Sequence, residues 1–415
     1  MADSTSARDV SRLPANHSSA VPQGLPAEAD VAAARALLLR LAQHPRNAGS
    51  AAESDARTIC TDELHGLGFD VREQVFEFSQ FPGRWAPTIG AVYMAILAFA
   101  ASHAAAGHSA PVPGLLILVG GFAILGVGGS WVARHGTTRI PWLRSRSVNL
   151  IATRADKSYG QPSRWLVAHL DTKSQTVPML ARIVSVILSV VLFAVLTVLL
   201  FASALALDSP PPANPGGDAS QTSLSSMNLA INVVACLAGL STIPMMLCIV
   251  GNRSRGALDN ASGVAAVLMA ARQLDGSRAV GVLISSAEEL GLAGARAFVN
   301  ERPGGQIALN CDTIDDDGHF ICMMKGKSGA SGLAGAIRRA AARYGNEIQI
   351  RGMLPGVLAD NVAFSDAGWD SLTLSRGNIA TLALVHTEGD RPDDIEGTGI
   401  AQAARLLAAT MEELT

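Results

Sequence analysis

Hydrophobic and polar positions follow two different patterns along this chain of 415 residues. In the first pattern, apolar residues recur at helical spacing or form short β-branched runs, as in a soluble α/β domain. Leu37 and Leu41 mark the buried face of a helix predicted over residues 28–43. A second predicted helix over 51–67 leads into a strand that opens at Phe69. These elements indicate an α/β domain.

Four stretches of uncharged apolar residues form the second pattern and interrupt the first. They cover residues 86–106, 113–133, 183–207 and 229–250. Each has the roughly 20 residues that are needed to cross the core of a bilayer. A buried helical hairpin is the alternative for the first two, because His103 and several glycines weaken their apolar character. Pro244 is expected to kink the fourth stretch, which membrane helices tolerate.

The four stretches pair into two hairpins, so all the soluble segments are expected on one side of a membrane. The flanks on that side carry Arg84, Arg134, Arg139, Arg144, Arg146, Lys173, Arg182, Arg253 and Arg255. The two loops on the far side carry Asp208 and Asp218 but neither lysine nor arginine. By the positive-inside rule, we expect a multi-pass integral membrane protein with four transmembrane helices and a cytoplasmic soluble domain.

The two patterns divide the chain into six segments. Residues 1–25, rich in Ala, Ser and Pro, are expected to be a disordered tail without a secretory signal. Hairpin 1 covers 84–134 and hairpin 2 covers 178–252. The α/β domain is expected in three parts, over 26–83, 135–177 and 253–415. Its last part has predicted helices over 264–274, 291–300, 332–344 and 399–414, and predicted strands over 280–285, 307–310, 372–374 and 382–385.

Composition narrows the class of function. The formal net charge is −3, so the chain has neither the basic excess of a nucleic-acid-binding protein nor a polyacidic tail. The cysteines show no CxxC spacing and stand at Cys60, Cys236, Cys248, Cys311 and Cys322. This spacing argues against a disulfide framework or a cysteine zinc site, and it suits a reducing compartment.

Two adjacent carboxylates, Glu288 and Glu289, follow the strand predicted over 280–285. Neighbouring side chains on a strand point to opposite faces, so the two acids can share a site only where the chain turns. At the carboxyl end of a strand in an open α/β sheet, such a turn lies over the ligand crevice. A solvated helix N-terminus, where the helix dipole favours glutamate, is the alternative.

Other polar residues stand in equivalent places, at or just beyond the end of an apolar run. They are His169 with Asp171, Asp259, Asp312 and His386. Neutral imidazole and carboxylate are ligands that zinc accepts, and a pair of zinc ions needs one carboxylate to bridge them. Each residue alone has a simpler explanation: a core histidine, a helix N-cap at Asp259 or a turn at Asp312. Their occurrence together favours a metal site.

Five short motifs around these residues carry a resemblance to a known family. The motifs are Ala168-His169-Leu170-Asp171-Thr172, Asp259-Asn260-Ala261-Ser262-Gly263, the run Ser286 to Ala295, Cys311-Asp312 and His386-Thr387-Glu388-Gly389-Asp390. In order and local spacing they resemble the M28 family of co-catalytic zinc aminopeptidases. The resemblance implies a three-layer αβα zinc-exopeptidase domain of the phosphorylase/hydrolase-like type, with a mixed central sheet that the two transmembrane hairpins interrupt.

The resemblance also implies two zinc ions per chain. Asp259 would bridge them, His169 and Asp312 would complete the site of one ion, and Glu289 and His386 would complete the site of the other. Glu288 would be the general base, and Asp171 would orient the His169 ring from outside the ligand set.

Two residues depart from the family pattern. Asn361 stands where a histidine commonly follows the aspartate that corresponds to Asp360, and Val385 stands where many relatives have a tyrosine before the last histidine. These changes leave the metal ligands intact but bear on the substrate. Asp360, Asn361 and Arg376 are candidate substrate residues, and for Arg376 a surface arginine is the alternative.

The expected function is that of a membrane-embedded, zinc-dependent exopeptidase of the aminopeptidase type, which hydrolyses peptide or amide bonds with Glu288 as general base. Hairpin 2 separates His169 from Asp259, so the active site is expected near the bilayer. An amidohydrolase acting on an amphiphilic N-acyl amino acid or lipopeptide is therefore the first alternative. The next alternatives are a glutaminyl-cyclase-like acyltransferase with one zinc and then an inactive peptidase-like membrane scaffold. The expected partners are a peptide or amphiphilic amide substrate and the lipid bilayer.

Overall fold

A computed structural model describes residues 25–107, 111–154, 162–207, 218–274, 280–302, 304–326, 331–353 and 357–414. The predicted N-terminal tail, apart from Leu25, lies outside the described residues. The described strands are β1 (Phe69–Ser79), β2 (Arg144–Arg154), β3 (Arg164–His169), β4 (Ser174–Gln175), β5 (Val250–Gly251), β6 (Val280–Ser285), β7 (Ile307–Ile314), β8 (His319–Met324), β9 (Ile348–Gly352) and β10 (Asp370–Gly377).

The helices of the α/β domain fall into a group before the first hairpin and a group after the second. The first group is α1 (Glu28–Leu41) and α2 (Ala51–Gly66). Hairpin 1 contains α3 (Phe81–Gly107) and α4 (Val112–Arg139), and hairpin 2 contains α5 (Met179–Leu207), α6 (Asp218–Ser241) and α7 (Ile243–Met246). The last group is α8 (Ser262–Gln273), α9 (Ala293–Asn300), α10 (Gly332–Arg343), α11 (Asn361–Asp366), α12 (Ile379–Leu384) and α13 (Thr398–Glu413).

The described residues form a mixed sheet of eight strands in the order β1-β2-β6-β3-β7-β10-β8-β9. Its centre is parallel, because β3 pairs in parallel with β6 and β7, and β10 pairs in parallel with β7. The flanking pairs β1–β2, β2–β6 and β10–β8 are antiparallel. Strand β6 is buried along its whole length, which explains its continuous apolar sequence.

Helices cover both faces of this sheet, and the side chains of β3 alternate between the two cores. Leu166 packs into a large core with α1, α8, α10 and α13. Its neighbour Trp165 packs on the opposite face in a smaller core with Phe298 of α9 and Phe364 of α11. Alternation of this kind follows from the period of two in a strand. The predicted three-layer αβα arrangement with a mixed sheet is therefore confirmed.

Four helices are long and apolar enough to cross a membrane. They cover Phe81–Ala105, Val112–Arg139, Met179–Ala206 and Ser225–Met246. Between 11% and 33% of their most apolar windows is buried within the protein, so they are not core helices of the α/β domain. The buried-hairpin alternative for the first two is therefore wrong. The predicted kink near Pro244 is confirmed, because α6 ends at Ser241 and α7 starts at Ile243.

One predicted element is wrong, and the main sheet has strands beyond β10 that the sequence did not predict. Residues 382–385 were expected to form a strand, but α12 covers this run. The Asn378 side chain accepts the backbone N–H of Ala380 and Thr381 in a capping box, which starts a helix. A short apolar run does not itself distinguish helix from strand. Strands β8 and β9, which the periodicity does not predict, extend the sheet beyond β10.

Candidate metal centre

The predicted ligands gather at the carboxyl edge of the parallel strands. His169 is the last residue of β3, Asp312 lies near the end of β7, and the Glu288–Glu289 pair follows β6. These three strands are neighbours in the sheet, so their carboxyl ends meet at one edge. Asp259 lies in the segment before α8, and His386 is the second residue after the end of α12.

These residues form two groups that could each hold a metal ion. The His169 triad consists of His169, Glu288 and Asp312, and the His386 triad consists of Asp259, Glu289 and His386. Within each triad, one ligand atom of every residue lies within 4.8 Å of the others. All five predicted ligands and the predicted general base thus fall into these two triads.

Asp259 joins the two triads through its two carboxylate oxygens. Oδ1 lies 3.1 Å from Nε2 of His169, and Oδ2 lies 3.0 Å from Nε2 of His386. The same His386 nitrogen lies 3.1 Å from Oε2 of Glu289. In the His169 triad, Nε2 lies 3.6 Å from Oδ1 of Asp312 and 4.0 Å from Oε2 of Glu288. One carboxylate therefore faces both imidazoles from between them.

Backbone hydrogen bonds hold Asp259 in this position. Asp390 accepts the N–H of Leu258 on Oδ1 at 2.6 Å and the N–H of Asp259 on Oδ2 at 3.2 Å. The fully buried Arg46 guanidinium donates to the carbonyls of Leu170 and Gly256, so it ties the His169 loop to the Asp259 segment. Sequence reasoning assigned no role to either residue. Asp390 had a signal, because it lies in the His386 motif, but Arg46 had none.

Asp171 holds the turn that carries Glu288 and Glu289. Its two carboxylate oxygens accept the N–H of Glu288 at 3.1 Å and the N–H of Glu289 at 3.2 Å. Nδ1 of His169 lies 3.1 Å from the Asp171 carbonyl oxygen and 3.7 Å from its Oδ1. The main chain of Asp171 thus makes the closer contact with the imidazole, and its carboxylate fixes the paired glutamates.

Buried acids accumulate negative charge at this edge of the sheet. Burial raises the pKa of Glu288 well above its usual value; His169 opposes this effect, and Glu289 and Asp312 add to it. Burial would lower the pKa of His169, but the surrounding carboxylates raise it well above its usual value. Buried charges of one sign require a compensating partner of the other sign. A bound cation would supply it.

The donor atoms themselves fit zinc. Nε2 of His386 and Oε1 of Glu289 are buried and have no hydrogen-bond partner among the described residues. The imidazole nitrogen approaches carboxylate oxygens of Asp259 and Glu289 closely, yet without hydrogen-bond geometry. Nitrogen and oxygen donors that converge without bonding to one another are the set that a zinc ion accepts.

Two cations stand beside the His386 triad. Nζ of Lys173 lies 2.6 Å from Oε2 of Glu289. Nη1 of Arg182, on the first turn of α5, lies 3.4 Å from Nδ1 of His386. In the sequence, both residues served only as signals of membrane topology. Their place beside Glu289 and His386 depends on how hairpin 2 leaves the sheet, which the sequence pattern does not reveal.

The three candidate substrate residues lie in different surroundings. Asp360 is fully buried, accepts a hydrogen bond from Ser285, and has its pKa raised to about 7, chiefly by burial. Asn361 is also buried and donates from Nδ2 to the carbonyl of Met323 at 3.1 Å. Arg376 alone among the three lines the described part of the cavity that contains the triads. That cavity has a volume of about 1230 Å³ and extends to α3, α4 and α5.

Comparison with known proteins connects this site with a family. No curated protein matches the chain by sequence. The model of peptidase family M28 matches residues 232–411, a range that contains four of the predicted ligands and begins after His169.

Solved structures share the fold at low sequence identity. BSAP, a zinc aminopeptidase from Bacillus subtilis, has 15% identity and a TM-score of 0.52, with 92% of this chain and 95% of that chain covered. The glutaminyl cyclase from Fimbriiglobus ruber has 16% identity and a TM-score of 0.52, with coverages of 95% and 98%. The aminopeptidase from Aneurinibacillus sp. strain AM-1 has 14% identity and a TM-score of 0.51, with coverages of 92% and 95%. The chain is therefore similar to peptidase family M28 over residues 232–411, and it shares the fold of zinc aminopeptidases.

Proposed function

We propose that this protein is a membrane-embedded, zinc-dependent exopeptidase of the aminopeptidase type that holds two zinc ions. His169 and Asp312 would bind one ion, Glu289 and His386 the other, and Asp259 would bridge them. The observation that carries this proposal is the position of Asp259, whose two oxygens lie 3.1 and 3.0 Å from the two imidazole nitrogens. A bridging carboxylate is the feature that a two-metal hydrolase requires.

Glu288 is the proposed general base. Bound zinc would supply an activated water and stabilise charge on the substrate carbonyl. The Glu288 carboxylate would take a proton from that water and deliver it to the nitrogen of the leaving amine. Asp171 would keep Glu288 in place, because it accepts the Glu288 N–H. Glu289, which shares the same turn, points its carboxylate to His386 instead.

The adjacent glutamates provide a matched test of these roles. Glu288→Gln is expected to reduce kcat by about 10²- to 10⁴-fold, the usual contribution of a general base, and to retain zinc. Glu289→Gln is expected to lose zinc as well as activity, because an amide replaces a charged ligand. Hydrolysis of aminoacyl and N-acyl amides and zinc content are measured on both purified variants. Full activity in Glu288→Gln would show that another group moves the proton.

The catalytic domain is proposed to lie on the cytoplasmic face of a membrane. Its parts would be 26–83, 135–177 and 253–415, with the tail at 1–25 and the hairpins at 84–134 and 178–252. Four apolar helices of sufficient length and the basic flanks of the soluble segments support this arrangement.

Cysteine labelling of intact cells tests the orientation. The background carries Cys236→Ser, because Cys236 is exposed while the other cysteines are buried. Ser220→Cys, in the first turn of α6, should react with an impermeant reagent from outside. His65→Cys, exposed on α2, should react only after the cells are opened. The reverse result would place the active site outside the cytoplasm.

A glutaminyl-cyclase-like acyltransferase is the second candidate, because a cyclase and a zinc aminopeptidase match this fold equally well, each with a TM-score of 0.52. The complete set of five ligand candidates favours the hydrolase. Zinc analysis together with activity assays separates the two: one zinc per chain without amide hydrolysis would favour the cyclase.

A further inference from the structure

The cavity that contains the triads continues between the helices of hairpin 1. Asp259 and His386 line it at the sheet edge, whereas Gly90 and Tyr93 of α3 and Gly128 of α4 line its other end. Its volume of about 1230 Å³ exceeds the roughly 300–1,000 Å³ of common small-molecule pockets. We call the part of the cavity formed by α3 and by residues 124–133 of α4 the apolar arm.

The apolar arm is long and leaves room for a chain. Its α3 residues run from Phe81 to Tyr93, which corresponds to about 18 Å of helix rise. A Cβ placed at Gly90, Gly128 or Gly129 would meet no atom within 4 Å, so these glycines keep the walls open. The Tyr93 hydroxyl donates to the carbonyl of Gly121 at 3.0 Å, so this polar group already has a partner.

An acyl chain fits this arm better than a peptide does. A length of about 18 Å corresponds to roughly five extended peptide residues. The amide groups of such a peptide would need hydrogen-bond partners. The backbone groups of α3 and α4 do not supply them, because they bond to one another within each helix. A hydrocarbon chain has no such requirement and gains from burial.

The charged groups of the cavity favour an anionic substrate end. Its described acidic residues are the four acids of the two triads that line it and Asp366, which pairs with Arg296 and Lys325. No carboxylate is therefore left to bind the ammonium group of an aminopeptidase substrate. Arg351 of β9 also lines the cavity; its buried Nε has no hydrogen-bond partner, and no described acid lies within ion-pair distance.

We propose that the substrate is a long-chain N-acyl amino acid, with its acyl chain in the apolar arm and its carboxylate at Arg351. This inference rests on the proposed zinc-dependent hydrolysis of amide bonds, and it replaces a peptide with a free amino end by an N-acylated amino acid as the substrate. Water adds its oxygen to the acyl carbonyl carbon, the C–N bond breaks, and the nitrogen takes the proton. The products are a fatty acid and a free amino acid, so no other reactant is needed.

A chain-length series with a matched pair of variants tests the arm. With zinc-loaded wild-type protein, kcat/KM should rise about fourfold per methylene beyond an N-acetyl amino acid, until the arm is filled. Gly128→Phe should lower the ratio of long-chain to acetyl kcat/KM at least tenfold. Gly126→Phe is the control, because this glycine has the same free space on the same helix but does not line the cavity. Equal ratios in the two variants would overturn the proposal.

The carboxylate contact has its own test. Arg351→Gln should raise KM for the long-chain acid at least tenfold and leave KM unchanged for the corresponding uncharged primary amide. Arg351→Lys should restore part of the loss, because it returns the charge without the planar guanidinium. An equal change of KM for acid and amide would show that Arg351 does not bind the carboxylate.

Photolabelling separates failure of this inference from failure of the proposed function, since it needs no turnover. An N-acyl amino acid with a diazirine at the chain end should label α3 and α4 in Glu288→Gln, and the unlabelled acid should displace it. Labelling without hydrolysis in the wild type would overturn the hydrolase and keep the binding site. Hydrolysis of short amides without such labelling would overturn the substrate class alone. Displacement by phospholipid but not by N-acyl amino acid would identify the arm as a lipid site.

Discussion

The His169 triad and the His386 triad offer the same kinds of ligand atom, but different parts of the chain surround them. His169 and Asp312 belong to neighbouring strands of the sheet, and the acidic Glu288 completes their triad. The His386 triad instead has two cations beside it, Lys173 at Glu289 and Arg182 at His386. The two halves of the centre therefore differ in charge although their ligand types agree.

This difference follows from where hairpin 2 enters the chain. Lys173 lies four residues after His169, and Arg182 lies on the first turn of α5. The main chain reinforces the contact, because the N–H of Gln175 donates to the carbonyl of His386 at 2.8 Å. Residues at the start of hairpin 2 and just before it thus contact the His386 triad, whereas the His169 triad has no such cation beside it among the contacts described above. A cation near a metal ligand competes with the metal, so we expect zinc to bind less tightly to the His386 triad.

The largest effect is expected from removing Asp259, the residue that joins the two triads. Asp259→Ala should abolish measurable hydrolysis and lower zinc content below that of either His169→Ala or His386→Ala, because each histidine variant loses a ligand of one triad only. Zinc is measured by elemental analysis after dialysis against a weak chelator. If Asp259→Ala keeps as much zinc as His386→Ala, Asp259 is a ligand of one ion and not a bridge.

Asp390→Asn should weaken both triads equally through Asp259. Both Asp390 oxygens accept backbone N–H groups, so an amide would turn its NH₂ toward one of these donors. Residues that orient a ligand typically contribute about 10- to 100-fold in metal affinity, and a loss of this size is expected in zinc titrations. Asp393→Asn, three residues on and exposed, is the control and should behave as wild type. A loss confined to one triad would show that Asp390 does not act through Asp259.

The grouping of the candidate ligands at one edge of the sheet could be predicted from the sequence for a physical reason. His169, Glu288 and Asp312 each stand near the carboxyl end of an apolar run, and parallel strands bring those ends to one edge. His386 follows a short helix instead of the predicted strand, yet it lies beside Asp259 and Glu289 as its motif led us to expect. The secondary structure could thus be wrong there without any effect on the predicted ligand.

The surroundings of the site could not be predicted in the same way. The contact between Lys173 and Glu289 depends on the direction in which the chain leaves β3, and the apolar arm depends on how α3 and α4 pack. Neither property produces a periodic spacing of apolar residues in the sequence. The cavity-lining Arg351 lies on β9, which the apolar pattern does not predict. Long-range geometry therefore decides the parts of the site that bear on the substrate.

The smallest effect is expected from a substitution at Lys173, which acts on the His386 triad alone. Burial alone would lower the pKa of the Lys173 ammonium, but the Glu289 carboxylate outweighs this effect and raises the pKa, so the lysine stays charged near neutral pH. Lys173→Met keeps the length of the side chain and removes that charge. Zinc should then bind the His386 triad roughly tenfold more tightly, while binding to the His169 triad stays unchanged.

A two-step zinc titration measures this change. Lys325→Met is the matched control, because this lysine lines the same cavity but pairs with Asp366, which belongs to neither triad. Weaker zinc binding in Lys173→Met would mean that the lysine holds Glu289 in its ligand position. An equal change in both steps would remove the distinction between the triads, since a charge beside Glu289 would then act on the whole centre.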